Sequence, residues 1–216
     1  MKDLIIASDF DGTISRIDTL YNFFKIYAKS DWLKIEKMWT DGQIGSRECL
    51  IEQFKLVNNL DENLIDNYTK TIELDSYFKE FNDFRLKNNI DFLVVSDGVD
   101  YFIESVFKNH NIENINIYSN HAEFINNEFK LSFPNYNQNC KNKSGTCKCK
   151  ILNDLKTKYK KVIYIGDGQS DFCASDIADI LFAKKSLLKY CKENNITCIE
   201  YNNFKDVIEN LNQNIF

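Results

Sequence analysis

Two carboxylates stand two residues apart in Asp9-Phe10-Asp11-Gly12-Thr13, directly after the short apolar run Leu4–Ala7. Such a run reads as a strand buried on both faces, and the polar residues after it fall at the strand's carboxyl end, where open α/β sheets bind their ligands. Two further runs end the same way. Phe92–Val95 leads into Ser96-Asp97-Gly98, a hydroxyl and backbone N–H groups at the start of a helical pattern, suited to holding an anion. Val162–Ile165 leads into Gly166-Asp167-Gly168-Gln169-Ser170-Asp171. Parallel strands carrying these endings would bring Asp9, Asp11, Asp167 and Asp171 to one edge. Carboxylates about 4 Å apart repel by about 4 kcal/mol at an effective dielectric of ~20, so the group calls for a cation. A hard divalent ion with oxygen ligands, Mg²⁺ above all, answers that call, because it accepts waters and a substrate phosphate in its shell. A lysine on the phosphoryl oxygens would complete the charge balance.

The elements that must position these groups follow from periodicity. Apolar runs alternating with helical patterns are the rhythm of a parallel α/β sheet. Val99, Phe102, Ile103, Val106 and Phe107 recur at helical spacing after the second run. Further strands are expected at Ile115–Tyr118, Ile180–Ala183 and Thr197–Tyr201, and Ala122–Ile125 with Glu128–Leu131 flank Asn126-Asn127 as a hairpin. No strand pattern interrupts Arg16 to Phe84, where Leu20, Phe23, Phe24, Tyr27 and Ala28, then Leu50, Phe54 and Val57, keep the helical period. The organisation expected is therefore a core domain of residues 1–15 and 85–216 and an all-helical insertion of residues 16–84, too long for a crossover connection.

Composition narrows the function classes. The 216 residues hold 27 Lys and Arg against 32 Asp and Glu, a net charge of -5, which offers no overall attraction to a nucleic acid or an anionic membrane. No stretch approaches 18 uncharged apolar residues, and Leu4–Ala7 is too short and too soon broken by charge for a signal peptide. With seven cysteines, an odd number and no disulfide density, the expected compartment is a reducing cytoplasm. Cys140, Cys147 and Cys149 could supply three of four zinc ligands, although Cys-X-Cys is an unusual spacing and small apolar packing is the plainer use. His110 and His121 belong to no catalytic pattern and read as surface or hydrogen-bonding residues.

Taken in order, Asp9-Phe10-Asp11-Gly12-Thr13, Ser96, a later Lys and Gly166-Asp167-Gly168 to Asp171 resemble the four motifs of the haloacid dehalogenase (HAD) superfamily of phosphatases. The helical insertion falls where the phosphoserine-phosphatase-like branch carries its cap. That resemblance implies a Rossmann-like α/β core with a parallel sheet, an all-helical cap inserted after the first strand, and Mg²⁺-dependent hydrolysis of a small soluble phosphate ester. It implies that Asp9 attacks phosphorus and becomes an aspartyl phosphate, and that Asp11 is the general acid and base. Asp9, the backbone carbonyl of Asp11, and Asp167 would bind Mg²⁺, with Asp171 as an outer or additional ligand. Ser96, Asp97 and Gly98 would hold the phosphoryl group together with a lysine from Cys147-Lys148-Cys149-Lys150-Ile151-Leu152. The family places its lysine three residues before the apolar pair, which selects Lys148, with Lys150 as the alternative.

Ser96-Asp97-Gly98-Val99-Asp100 and Ile180-Leu181-Phe182-Ala183-Lys184 are similar to one cluster of that branch. It holds the 2-hydroxy-3-keto-5-methylthiopentenyl-1-phosphate phosphatases and the phosphoethanolamine and phosphocholine phosphatases. The pattern of phosphoserine phosphatases fits less well, with Asp18 in place of a Glu and no basic residue within Ile51–Gln53, although Arg47 lies near. Asp18, Arg47, Trp32 and Trp39 are the candidate substrate contacts in the cap. Tyr21, Phe23, Phe24 and Tyr27, with the two tryptophans, could cage a choline-like cation or simply form the cap's core. A phospho-accepting regulatory module would gather similar groups around Mg²⁺, but it needs neither the long insertion nor Asp11.

Overall fold

The computed structural model describes residues 2–58 and 60–214, so positions 1, 59, 215 and 216 of the expected domain ranges lie outside the described residues. Seven strands, β1 (Lys2–Ser8), β2 (Asp91–Val99), β3 (Asn116–Ile125), β4 (Glu128–Ser132), β5 (Tyr159–Gly166), β6 (Ile180–Ala183) and β7 (Ile199–Glu200), form one sheet in the order β4-β3-β2-β1-β5-β6-β7. All neighbours are parallel except the β3/β4 hairpin. The chain therefore lays β2 to β4 on one side of β1 and returns to lay β5 to β7 on the other. This makes the carboxyl end of β1 the switch point of the sheet. Ser8 pairs with Val94 on one side and Ile165 on the other, so Asp9, Ser96 and Asp167 follow a common line across three strands.

The continuous apolar runs are explained by burial on both faces. Ile6, Val94, Ile163, Ile165 and Phe182 face one core, while Ile5, Ala7, Leu93, Val95, Val162, Tyr164 and Leu181 face the other. Helix α6 (Asp100–Asn109) covers the first face with Phe102, Ile103, Val106 and Phe107, and α7 (Lys148–Lys156) and α8 (Lys185–Glu193) cover the second. The strand expected at Ile115–Tyr118 and the first arm of the expected hairpin are one strand, β3, whose turn places Asn126 and Asn127 at φ 53° and 62°, as a two-residue hairpin needs.

Between β1 and β2 run α1 (Thr19–Tyr27), α2 (Trp32–Thr40), α3 (Ser46–Phe54), α4 (Glu62–Lys70) and α5 (Phe78–Lys87). Asp18 caps α1 by accepting from the Tyr21 N–H at 2.8 Å, and Asp61 caps α4 by accepting from that of Leu64 at 2.7 Å. Phe23 joins the helices by packing on Phe54 and Tyr68, and on Phe102 of α6 beneath them. The two connections to this layer run side by side. Arg16 N donates to Glu73 O at 2.9 Å and Asp75 N to Ile14 O at 2.8 Å, bridging Ser15 and Leu74. Helix α5 lies beyond that bridge, with Phe78 and Phe81 against Phe92 of β2 and Phe204 of α9 (Phe204–Asn214). The helical layer drawn by packing thus holds α1 to α4, and α5 is a crossover helix on the sheet.

No helix among the described residues is long and apolar enough to cross a membrane. Cys140, Cys147 and Cys149 are free thiols, and the one group of three or more potential metal-ligating side chains found among the described residues is the carboxylate set of Asp9, Asp167 and Asp171. His110 Nε2 meets the Ile72 carbonyl at 2.8 Å, and His121 Nδ1 meets Asp100 Oδ2 at 2.6 Å. The hydrogen bond to Asp100, then one to Glu123, raises the His121 pKa from 6.5. A raised folded pKa means that the contribution to stability is present below the unfolded pKa and is lost as pH rises through the folded one. An NMR titration should therefore find the His121 pKa above 6.5 and nearer to it after Asp100→Asn.

Candidate active site

Lys148 is the first residue of α7, which starts close to the carboxyl end of β5, and it is 2% exposed. Its ammonium reaches Asp9 Oδ2 at 2.9 Å, Asp171 Oδ1 at 2.6 Å and Ser170 Oγ at 3.0 Å. Lys150, two residues on, is exposed, so of the two lysines Lys148 is the one that lies among these carboxylates. Asp9, Asp167 and Asp171, all buried, each bring one carboxylate oxygen within 4.8 Å of the others'. Asp9 Oδ1 accepts from Phe10 N at 2.7 Å. Asp167 accepts from Thr13 Oγ1 at 3.0 Å and from Lys185 Nζ at 2.8 Å.

Asp171 sits in the turn Gln169–Asp171 and closes it, since Oδ2 accepts the N–H groups of Asp167 and Gly168 at 2.9 and 3.0 Å. Oδ1 accepts Lys148 and the Tyr164 hydroxyl, both at 2.6 Å. A carboxylate has about four lone-pair sites, and here all are taken. Asp171 therefore shapes the loop and anchors Lys148.

Burial, then the charges of Asp171 and Asp167, push the Asp9 pKa well above the carboxylate range against the opposing pull of Lys148. Burial alone would lower the Lys148 pKa, but Asp171 and Asp9 outweigh it and hold it above its ordinary value. Two ammonium groups, Lys148 and Lys185, do not neutralise this set of carboxylates, and a divalent cation with hard oxygen ligands fits both its charge and its chemistry.

Asp11 lines the same cleft, accepting from Thr19 N at 2.8 Å and from the Thr19 hydroxyl. Burial first, then the charge of Asp18, raise its pKa to about 7. A Cβ on Gly98 would stand 2.8 Å from Asp11 Oδ2 and 3.2 Å from Ser96 Oγ, so only glycine lets these groups close around a small space. Ser96 and Gly98 occupy an irregularity in β2, where pairing with β3 slips between Val95 and Val99. Ser96 Oγ accepts Gly98 N at 3.0 Å, which leaves its proton to donate.

Asp97, between Ser96 and Gly98, also lines this space. Its carboxylate accepts from the Ser46 hydroxyl at the start of α3, from Thr146 N at 3.0 Å and weakly from Asn120 Nδ2 at 3.4 Å, so it links helical layer to core. Removing that link with Ser46→Ala should raise KM about 3- to 10-fold with a smaller change in kcat, the net worth of one ordinary hydrogen bond, as steady-state kinetics would show.

The cleft between core and helical layer is lined by Asp9, Asp11, Ser96 and Gly98 at its floor, with Asp18 and Trp39 among the residues above. Trp32 and Arg47 do not line it. Trp32 is buried against Tyr21 and Phe24, and the Arg47 guanidinium stacks over Phe133 and Tyr136 at 5.0 and 4.6 Å. Sequence reasoning missed Glu36, which accepts from Gln53 Nε2 at 2.8 Å inside the cleft, and the lining face Ser46, Cys49, Leu50 and Gln53. Those four stand at i, i+3, i+4 and i+7 of α3, a stripe in which a buried Gln was the available signal. Thr19, Tyr164 and Lys185 were missed too, and nothing in the sequence marked them.

A family model described as Putative Phosphatase matches residues 4–187. The chain belongs to this phosphatase family. The phosphatase is 32% identical over 209 residues, 96% of its length and 90% of the relative's, to a 2-hydroxy-3-keto-5-methylthiopentenyl-1-phosphate phosphatase of Bacillus pumilus (strain SAFR-032). It is 29% identical over 214 residues, covering 97% and 91% of the two chains, to a protein of the same name from Bacillus velezensis (strain DSM 23117 / BGSC 10A6 / LMG 26770 / FZB42). Among solved structures it resembles a phospho-aspartyl intermediate analogue of phosphoserine phosphatase, with a TM-score of 0.71, 17% identity and coverage of 97% and 99%. A HAD family hydrolase from Salmonella enterica subsp. enterica serovar Typhi matches with a TM-score of 0.73 at 17% identity, over 96% of this chain and 71% of that one. At these identities the structural likeness shows the fold, and it is the fold of the HAD phosphatases.

Proposed function

We propose that the phosphatase hydrolyses a small-metabolite phosphomonoester through an aspartyl phosphate on Asp9, with Mg²⁺ as cofactor. The observation that carries this reading is the buried Asp9 carboxylate at 2.9 Å from Lys148, beside Asp167 and opposite Asp11. Asp9 attacks phosphorus and the ester oxygen leaves with a proton from Asp11, whose pKa near 7 lets it hold that proton at neutral pH. Asp11, now a carboxylate, takes a proton from the water that splits the acyl phosphate, and inorganic phosphate and free Asp9 result. Lys148 and the Ser96 hydroxyl hold the phosphoryl oxygens. Asp9, Asp167 and the Asp11 carbonyl are the groups that would hold Mg²⁺, which when bound supplies positive charge to the phosphoryl oxygens. Asp171 keeps Lys148 and the loop in place.

The substrate we propose is 2-hydroxy-3-keto-5-methylthiopentenyl 1-phosphate, supported by the names of the relatives and by the cleft. Its upper end combines apolar Leu20, Phe24, Trp39 and Leu50 with Glu36 and Gln53, which suits a thioether tail beside hydroxyl and keto groups. A phosphorylated choline or ethanolamine is the second reading, favoured by Glu36 and the aromatic wall. Phosphoserine fits least, because among the described residues lining the cleft there is no Lys or Arg to meet its carboxylate, and Arg47 is stacked elsewhere. Phosphate release with Mg²⁺ should be measured on these esters and thiamine monophosphate. A kcat/KM for the methylthio substrate at least about tenfold above the rest supports the assignment, and a preference for phosphocholine replaces it with the second.

A further inference from the structure

We propose that Lys185 is the resident counter-cation of the metal-free site, seated on Asp167 when no divalent ion is bound and released when one enters. This rests on reading Asp167 as a metal ligand. The Lys185 ammonium lies 2.8 Å from Asp167 Oδ2 and 3.0 Å from the Gly12 carbonyl. Its backbone reaches this position in the left-handed region, at φ 48°, which a residue with a side chain adopts only when its surroundings impose it. Gly12 answers with φ 70°, and a Cβ there would stand 2.9 Å from the Lys185 ammonium. The other oxygen of Asp167 is held by Thr13, so an incoming cation meets a carboxylate whose two oxygens are both engaged.

Charge and accessibility both single out Lys185 as the group that yields. Asp9, Asp167 and Asp171 carry three negative charges against the two positive charges of Lys148 and Lys185, which leaves -1. A divalent ion added to all five groups makes the total +1, and departure of Lys185 brings it to 0. Lys148 cannot leave, since its side chain is 1% exposed and ends between two buried carboxylates. The Lys185 side chain is 54% exposed, and it lines an open cleft of about 600 Å³ with Leu188, Glu200 and Tyr201, into which the ammonium can swing and be hydrated. The geometry thus describes an exchange of one monovalent ammonium for one divalent ion. Binding of each opposes the other, and the penalty is reciprocal.

Calorimetric titration of Mg²⁺ into metal-free wild-type protein, Lys185→Met, Lys185→Arg and Asp167→Asn tests this without any turnover. Lys185→Met should bind Mg²⁺ at least about fivefold more tightly than wild type, and Lys185→Arg, which keeps the charge, should not. The thermal midpoint of metal-free Lys185→Met should fall, while its midpoint in saturating Mg²⁺ should match wild type. Unchanged or weaker Mg²⁺ binding by Lys185→Met, with Asp167→Asn defective, would overturn the exchange and leave Asp167 as a ligand. Wild-type binding by Asp167→Asn would overturn the ligand reading, and the exchange with it.

Discussion

Asp9→Asn should lower kcat by about 10⁴-fold or more while the protein folds at least as stably as wild type. The amide is nearly isosteric, and its carbonyl oxygen can still accept from Phe10 N where Asp9 Oδ1 accepts at 2.7 Å. What it lacks is a lone pair able to attack phosphorus at neutral pH, so the loss should fall on kcat and no phosphoprotein should accumulate during turnover. The stability expectation follows from the sign of the pKa shift. Burial and the neighbouring Asp171 raise the folded-state pKa of Asp9, so its charged form is disfavoured by folding, and this cost is present above the unfolded pKa. A neutral side chain removes it, although Lys148 loses one acceptor and keeps Asp171 and Ser170. A thermal midpoint equal to or above wild type, with activity gone, is the pattern of a group held for function at the expense of stability. Multiple turnovers by the variant, after mass spectrometry has excluded deamidation back to Asp, would remove Asp9 from the nucleophile's role.

How much of this was legible in the sequence depends on what each feature rests on. The strands β1, β2, β5 and β6 were readable because a strand buried on both faces must be a continuous apolar run, and residues at its carboxyl end must lie at the sheet's edge. Chain order then brought Asp9, Ser96 and Asp167 together with no further information. Directions of side chains were less readable. Asp97 lines the cleft between two residues that also face it, while its carboxylate accepts from Ser46 and Thr146, and no pattern of residue types encodes those partners. Arg47 and Trp32 were candidates by type, whereas their places on Phe133 and Tyr136, and between Tyr21 and Phe24, are set by contacts distant in sequence. Asp171 was correctly placed near the cluster, but its role depends on four donors, of which the Tyr164 hydroxyl comes from a strand position that otherwise reads as core. Lys185 lay beyond sequence reasoning because only a left-handed backbone carries it to Asp167.

The second large effect is expected at Lys148 and separates it from Lys150. Lys148→Met should lower kcat by about 10²- to 10³-fold and the thermal midpoint by about 10 °C, while Lys150→Ala changes neither. Lys148 is sealed between Asp9 and Asp171, whose side chains are 6% and 0% exposed. Removing one partner of a buried ion pair leaves uncompensated charge and costs about 3–5 kcal/mol, unlike the small effect of an exposed pair. Here two carboxylates lose the same cation at once, and both are buried. Part of the loss in stability should return in saturating Mg²⁺, since a divalent ion lowers the same excess of negative charge. Lys148→Arg should not restore activity, because a planar, longer guanidinium cannot put one point charge within 3.0 Å of Asp9, Asp171 and Ser170 at a position where the side chain is 1% exposed. Thermal melts with and without Mg²⁺, run beside the kinetics, discriminate the roles. A Lys148→Met protein that keeps its stability and its activity, next to a Lys150→Ala protein that loses activity, would show that the cation of this site comes from the exposed lysine after all.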